Sequence, residues 1–192
     1  PDYKRCLVSL SPGGTDADIV REWDRTTGKF VEDGFTVPLA KSSVTWEDAD
    51  NLLVATDFGE GSMTTSGYPR IVKRWKRGTP LSAALTVVEG ETADVGMTVG
   101  AEMDGDKRWP IISRAKSFYT TDFYIPKPYE GGEYIDTIIP ETAELRAVID
   151  GQAIIFLNDK EFDYPAGSLL ALPLDEMSRG DQVPFIPVMQ PT

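Results

Sequence analysis

Histidine is missing from this sequence of 192 residues. Histidine titrates near neutral pH, is a common metal ligand, and is the usual base that activates a serine or cysteine nucleophile. A Ser-His-Asp triad therefore cannot be assembled from this chain, and the sequence also lacks the G-x-S-x-G motif of a nucleophile elbow. We predict no catalytic, cofactor-binding or metal-binding residue, and no cofactor.

Cysteine occurs once, as Cys6, so the chain contains no internal disulfide. This favours a reducing compartment, and we expect the cytoplasm, with the periplasm as the alternative. Cys6 begins an apolar run with Leu7 and Val8. That context predicts a buried structural thiol rather than a reactive one.

Long apolar runs are also missing, so the sequence predicts neither a transmembrane helix nor a signal peptide. The chain does not begin with Met, and Pro1-Asp2-Tyr3 resembles the middle of a turn. We expect the chain to be a segment of a longer protein.

Positive charge is scarce: 19 Lys and Arg stand against 31 Asp and Glu, which gives a net charge of −12. Such a surface repels phosphate backbones and anionic lipids, so we expect neither nucleic acid nor membrane as a partner. One block is basic, and its cations could bind an anion or could balance nearby carboxylates on a solvated strand. The second interpretation is favoured for this block, which contains Arg70, Lys73, Arg74, Lys76 and Arg77.

What the sequence does contain is alternation of apolar and polar residues with a period of two. The clearest case places Val95, Met97, Val99, Ala101 and Met103 on one face, which predicts a strand with one buried side. Similar runs predict strands at residues 5–10, 19–24, 52–56, 71–75, 86–89, 119–125, 134–139, 153–157 and 168–172. Turn residues separate them, at Pro12-Gly13-Gly14, Thr27-Gly28, Asp104-Gly105, Gly131-Gly132 and Asp150-Gly151.

A repeat distinguishes a propeller from a sandwich or barrel. An acidic turn followed by an apolar strand recurs at Asp50-Asn51, Asp104-Gly105 and Asp150-Gly151, with spacings of 54 and 46 residues. Each interval accommodates four short strands, the content of one propeller blade. We predict an all-β partial β-propeller of just under four blades of four-stranded antiparallel sheets. The expected blades are residues 1–40 (incomplete, without the innermost strand), 41–90, 91–140 and 141–192.

Two segments carry helical signals. Thr79-Pro80 resembles a helix start, which predicts one helical turn over residues 80–84. Residues 142–149 contain good helix formers, but the repeat favours a strand at 144–149.

Several motifs could support chemistry, and each also has a structural interpretation. The segment Gly59-Glu60-Gly61-Ser62 lacks the third glycine and the lysine of a phosphate loop, which favours an ordinary inter-strand loop. Carboxylate clusters could bind calcium, but their spacing does not fit the known loop, so acidic turns are favoured. They are Glu47/Asp48/Asp50, Asp104/Asp106 and Asp159/Glu161/Asp163. The four tryptophans could form a carbohydrate platform, but packing between sheets is favoured for Trp23, Trp46, Trp75 and Trp109.

Residues 43–81, SVTWEDADNLLVATDFGEGSMTTSGYPRIVKRWKRGTPL, closely resemble a blade of the N-terminal β-propeller of prolyl-oligopeptidase-family serine peptidases. The most specific parts are Asp57-Phe58-Gly59 and SGYPRIVKRWKRGTPL at 66–81. RCLVSLSPGG at 5–14 and VREWDRTTGKFV at 20–31 resemble the preceding blade, and PAGSLLAL at 165–172 a later one. The resemblance covers nearly the whole chain.

The resemblance implies a seven-bladed parent propeller and a separate α/β-hydrolase domain that carries the catalytic triad. It implies cleavage of short peptides after proline, with the propeller gating substrate access. The expected partners are that catalytic domain, the peptide substrates, and a second copy through exposed apolar blade faces. The alternatives are a stand-alone β-propeller-like interaction or ligand-binding module, and an acidic carbohydrate- or metal-binding β domain.

Overall fold

The computed structural model describes residues 4–127 and 132–191. The predicted turns at Pro1-Asp2-Tyr3 and at Gly131 lie outside the described residues. Within these described residues, sixteen strands form four four-stranded antiparallel sheets, which we number one to four in chain order. The chain divides into two compact units, Pro1–Gly100 and Ala101–Thr192. No described helix is long and apolar enough to cross a bilayer.

Sheets one and two belong to the first unit. In sheet one, the second strand pairs with the first strand on one side and with both the third and the fourth on the other. Its strands are β1 (Arg5–Leu10), β2 (Asp18–Asp24), β3 (Lys29–Phe30) and β4 (Thr36–Ala40). Sheet two pairs its strands in sequence order, as β5 (Ser43–Trp46), β6 (Asn51–Ala55), β7 (Ile71–Lys76) and β8 (Leu85–Glu89).

Sheets three and four also pair their strands in sequence order. Sheet three contains β9 (Gly96–Asp104), β10 (Lys107–Ala115), β11 (Thr121–Pro126) and β12 (Tyr134–Asp136). Sheet four contains β13 (Ala143–Ile149), β14 (Gln152–Leu157), β15 (Leu169–Pro173) and β16 (Ile186–Met189), with a short helix α1 (Leu174–Ser178) before its last strand.

The core of the first unit lies between sheets one and two. Side chains of β2 and β4 meet side chains of β6 and β7. Because side chains alternate across a strand, every second residue of β2 faces this core, which consists of Val20, Phe35, Val37, Leu52, Val54 and Trp75.

The core of the second unit lies between sheets three and four. Residues Ala153, Ile155 and Leu157 of β14 are fully buried, whereas Ile154 and Phe156 between them are partly exposed. This period of two is the pattern of a strand with one face in a core. Helix α1 adds Leu174 and Met177 to the same cluster.

The three acidic turns occupy equivalent positions in successive sheets, since each joins the first strand to the second in sheets two, three and four. At the third, Asp150 and Gly151 have φ angles of 50° and 72°. Two successive positive φ angles are the signature of a type I′ hairpin turn, which explains the Asp-Gly pair.

The structure confirms the all-β prediction and most of its elements. The helical turn expected at 80–84 is a 3₁₀ turn at Leu81–Ala83, and the strand expected at 144–149 is β13. Some details were wrong. Met103 is 37% exposed although the alternation placed it on the buried face, β11 begins only at Thr121, and the helix α1 was not expected.

Candidate functional site

The buried serines have structural partners. The hydroxyl groups of Ser62, Ser168 and Ser178 each donate to a backbone carbonyl three residues earlier, at 2.6, 2.7 and 2.9 Å. Such bonds close local turns, and no histidine exists to activate a hydroxyl. Cys6, expected to be buried, is only partly buried on β1, opposite Trp23.

The carboxylate clusters stabilise turns. Oδ1 of Asp48 accepts hydrogen bonds from the backbone N–H of Asp50 at 2.8 Å and from the side chain of Asn51 at 3.0 Å. Asp104 accepts from the backbone N–H groups of Asp150 and Gly151 at 2.9 and 2.6 Å, which joins two equivalent turns within the second unit. No group of three or more metal-ligating side chains occurs among residues 4–127 and 132–191.

The basic block on β7 and after it is balanced by carboxylates. Arg70 pairs with Glu89 at 2.6 Å, and Nη2 of Arg74 donates to Glu47 at 2.6 Å. The ammonium of Lys73 lies 4.4 Å from the centre of the Phe58 ring. Charge balance is therefore the role the geometry supports, although the expectation of a solvated strand was wrong for Arg74, which is mostly buried.

Among the described residues, Glu22 is the most buried charged residue. Its side chain is fully enclosed between sheets one and two. Its carboxylate accepts four hydrogen bonds. Arg5 donates at 2.9 Å, the backbone N–H of Phe35 at 3.1 Å, and Arg77 donates two bonds at 2.9 and 3.1 Å. Arg77 also lies over the Phe35 ring at 4.6 Å.

The pKa of Glu22 reflects a balance between burial and these donors. Burial on its own would raise the pKa, but the hydrogen bonds from Arg77, Phe35 and Arg5 outweigh burial and lower the pKa below its ordinary value. A carboxylate held in its charged form by four donors has no accessible lone pair for proton transfer. We interpret Glu22 as a structural ion pair, one of the ways in which a perturbed pKa arises without catalysis.

The long loop between β6 and β7, residues 56–70, is firmly held. Its backbone and hydroxyl groups bond to the segment before and within β9: Ser66 Oγ donates to the Val95 carbonyl at 2.8 Å, and the Met97 N–H donates to the Pro69 carbonyl at 2.7 Å. Gly96 allows this contact, because a Cβ atom there would lie 2.7 Å from Cβ of Tyr68. The expectation of an inter-strand loop is thus supported over a phosphate loop.

The two most exposed large hydrophobic side chains among the described residues lie in the second unit, between β10 and β11. We call residues 116–121 the aromatic hairpin. The carbonyl of Thr120 accepts from the N–H of Lys116 at 3.0 Å, and the hydroxyls of Ser117 and Thr120 are 2.7 Å apart. At its tip, Phe118 is 89% exposed and Tyr119 is 86% exposed.

A cavity of about 550 Å³ lies beside the aromatic hairpin, and we call it the acidic cavity. The hairpin supplies Phe118 and Tyr119 to its lining, the β12–β13 connection supplies Glu141, the start of β13 supplies Glu144, and the β14–β15 loop supplies Asn158 and Asp159. These three connections therefore lie at one end of sheets three and four. Sequence analysis did not predict this arrangement, because it placed Tyr119 in a strand.

Two of the three carboxylates in the acidic cavity are paired. Lys116 pairs with Glu141, and hydrogen bonds to Glu141 and Asp122 raise the pKa of Lys116. Glu144 pairs with Arg146 at 2.8 Å and accepts a hydrogen bond from Asn158 at 3.1 Å. Asp159 is exposed and forms no ion pair with a described residue. One uncompensated negative charge thus stands at the cavity.

The tryptophans act mainly in packing. Trp75 and Trp109 are buried in the cores of the first and second units, and Trp46 packs against the first core. Trp23 meets Phe30 of its own sheet edge to face, with ring centres 4.8 Å apart. This distribution supports packing over a carbohydrate platform.

Comparison with known proteins gives a consistent answer. The family model described as "Prolyl oligopeptidase, N-terminal beta-propeller domain" matches residues 1–190. A Sinorhizobium fredii protein named "Uncharacterized peptidase y4nA" is 35% identical over 160 residues, which cover 82% of this chain and 22% of that protein. The Rickettsia prowazekii "Uncharacterized peptidase RP174" is 25% identical over 192 residues, covering 92% of this chain and 27% of that protein.

Among solved structures, the "Post-proline cleaving enzyme from Rickettsia typhi" matches with a TM-score of 0.86 and 26% identity, over 98% of this chain and 30% of that chain. The predicted fold class, a partial β-propeller, is confirmed. The chain spans less than a third of the length of each of these three relatives.

Proposed function

Because the chain belongs to the prolyl oligopeptidase N-terminal β-propeller domain family, we propose that it is the non-catalytic propeller segment of a serine endopeptidase that hydrolyses short peptides after proline. The observation that carries the proposal is the family match over residues 1–190 in a chain that contains no histidine. The catalytic triad then lies on an α/β-hydrolase domain outside these residues.

The propeller's role in this proposal is to gate access to the catalytic domain. A closed ring of radially arranged sheets leaves only a narrow axial passage, which an extended peptide can enter and a folded protein cannot. The mechanism is steric, so it requires a rigid wall rather than reactive groups. The tightly bonded turns, the held β6–β7 loop and the closed Glu22 ion-pair network are consistent with such a wall.

The test uses the full-length product of the complete gene and a series of peptides that share one Pro-containing scissile sequence but differ in total length. We expect cleavage after proline, with kcat/KM falling by on the order of tenfold or more from the shortest to the longest peptide. A matched series with Ala in place of Pro is the control for specificity. Cleavage of both series alike would contradict the post-proline assignment.

Two further outcomes separate the parts of the proposal. Cleavage after proline that is independent of peptide length would contradict gating and leave the peptidase assignment in place. A complete gene that encodes no G-x-S-x-G elbow and no later histidine would instead support the stand-alone interaction module.

A further inference from the structure

We propose that the aromatic hairpin and the acidic cavity form the contact by which this propeller is fixed to its catalytic domain, with the cavity receiving a basic side chain from that domain. This inference rests on the proposed function, because the partner is the hydrolase domain of the same protein. It assigns the contact to named residues: Phe118, Tyr119 and Asp159.

The first argument is the solvent exposure of the two aromatic side chains, Phe118 and Tyr119. A Phe and a Tyr that stand 89% and 86% exposed on neighbouring positions are unusual in a surface that is otherwise strongly acidic. The hydrogen bonds within residues 116–121 fix the backbone of the hairpin, so little backbone conformational entropy is lost when a partner covers the two rings. Rigid aromatic anchors of this kind dominate the energetics of protein interfaces.

The second argument is topological. In a sheet whose four antiparallel strands pair in sequence order, the first strand begins and the fourth strand ends at the same end of the sheet. The connection between the second and third strands lies at that end as well. The aromatic hairpin is such a connection in sheet three, and the β14–β15 loop is its equivalent in sheet four. A domain joined in sequence to the last strand of sheet four therefore emerges at the same end of that sheet as the β14–β15 loop, which lines the acidic cavity together with Phe118 and Tyr119.

The third argument is the length of the relatives. They are more than three times as long as this chain, so in those proteins the part that matches this chain is covalently joined to a much longer polypeptide. A tethered partner is present at a high effective concentration, and a contact much smaller than a bimolecular interface is then sufficient for docking.

The chemistry of the cavity identifies the partner group. Asp159 has no ion-pair partner among the described residues, and the aromatic rings of Phe118 and Tyr119 line the same cavity. A carboxylate beside aromatic faces suits an arginine or lysine, which can pair with the acid and lie over a ring. Glu141 and Glu144 already have cationic partners, so one basic side chain satisfies the site.

The experiment is site-specific photocrosslinking in the full-length protein. Tyr119 is replaced by p-benzoylphenylalanine, the protein is irradiated, and the crosslinked peptides are identified by mass spectrometry. The matched control places the same probe at Ile149, an exposed apolar residue at the opposite end of sheet four in the same unit. We expect the probe at 119 to crosslink to the domain that carries the G-x-S-x-G serine, and the probe at 149 not to do so.

The charge argument is tested in the same assay. Asp159→Lys should lower the yield of the 119 crosslink by about tenfold, which corresponds to a loss of about 1.4 kcal/mol in docking. Asp163→Lys changes the same charge in the same loop, outside the cavity, and should leave the yield unchanged. Equal effects of the two substitutions would contradict the role of Asp159.

The remaining outcomes overturn either the contact or the function, but not both together. If the 119 probe crosslinks only to the propeller or to a second copy, or forms no crosslink, while the full-length protein cleaves after proline, the docking assignment is wrong. If the probe reaches the hydrolase domain in a protein that does not cleave after proline, the contact stands and the proposed function is wrong.

Discussion

Arg77 clamps Glu22 across the boundary between sheets one and two with two hydrogen bonds, although 55 residues separate them in the chain. The guanidinium donates from Nη1 and Nη2 to the two carboxylate oxygens, which is the bidentate geometry that arginine provides and lysine does not. This pair is a polar connection between two sheets whose shared core is apolar.

We predict that Arg77→Ala destabilises the chain by on the order of 3 kcal/mol, because it leaves the Glu22 carboxylate buried with only Arg5 and a backbone amide as donors. Arg77→Lys should cause a smaller loss, since the charge is kept and the bidentate fork is not. Urea unfolding at neutral pH measures both. Lys76→Ala removes a neighbouring exposed cation and is the matched control, with an expected change below about 0.5 kcal/mol. Equal losses of unfolding free energy in Lys76→Ala and Arg77→Ala would show that the Glu22–Arg77 ion pair does not stabilise the chain.

Acid should weaken the ion pair between Glu22 and Arg77. The folded-state pKa of Glu22 lies below its ordinary value, so the carboxylate contributes stability that is fully present above the unfolded-state pKa. That contribution is lost as the pH falls below about 4.5 and through the folded-state pKa. Unfolding free energies measured from pH 7 downward should therefore fall less steeply in Glu22→Gln than in the natural sequence. Parallel curves for the two proteins would show that Glu22 does not contribute to acid sensitivity.

We predict that Gly34 does not tolerate a side chain, because a side chain there would lie too close to Val31 and to the Glu22 carboxylate. A Cβ atom at this position would lie 2.7 Å from Cβ of Val31 and 3.0 Å from Oε2 of Glu22. Gly34→Ala should cost about 2 kcal/mol in thermal or urea unfolding, the range typical of overpacking in a core. Gly100→Ala is the control, since nothing lies within 4 Å of its Cβ and its φ angle is not positive. A neutral Gly34→Ala would indicate that the β3–β4 connection can move away from Glu22.

The isolated chain should associate with itself through an apolar face of sheet one. The face of β2 opposite the core carries Ile19 and Trp23, and Leu10 beside Ile19 is 41% exposed. Sedimentation velocity should show a mass that rises with concentration, and Leu10→Lys should shift the distribution towards monomer. Leu85→Lys changes an exposed leucine of sheet two and should have little effect. A monomer at every concentration would contradict this prediction.

The alternating pattern was sufficient for most strands, because strands such as β14 bury every second residue. It failed where burial is continuous: in β10 the run Trp109–Pro110–Ile111–Ile112 is buried without alternation, so no strand was predicted there. The alternation also failed at Tyr119, which it placed at the start of a strand and which lies in the turn before β11.

The functional features were less accessible to sequence analysis. The Glu22–Arg77 pair depends on the register of two sheets, and a charged pair 55 residues apart has no local signature. The acidic cavity is assembled from three separate connections, which only the fold brings together. By contrast, the lack of histidine was informative from the start, because no fold can supply a missing side chain.

The location of the chemistry is the central claim, and covalent labelling tests it most directly. The 192-residue chain and the full-length protein are each treated with a fluorophosphonate, which phosphonylates activated serines with loss of fluoride, and intact mass and peptide mapping locate the label. We predict that the isolated chain gains no mass and that the full-length protein is labelled on one serine outside these 192 residues. A labelled serine within residues 1–192 would contradict the claim that this propeller segment is non-catalytic.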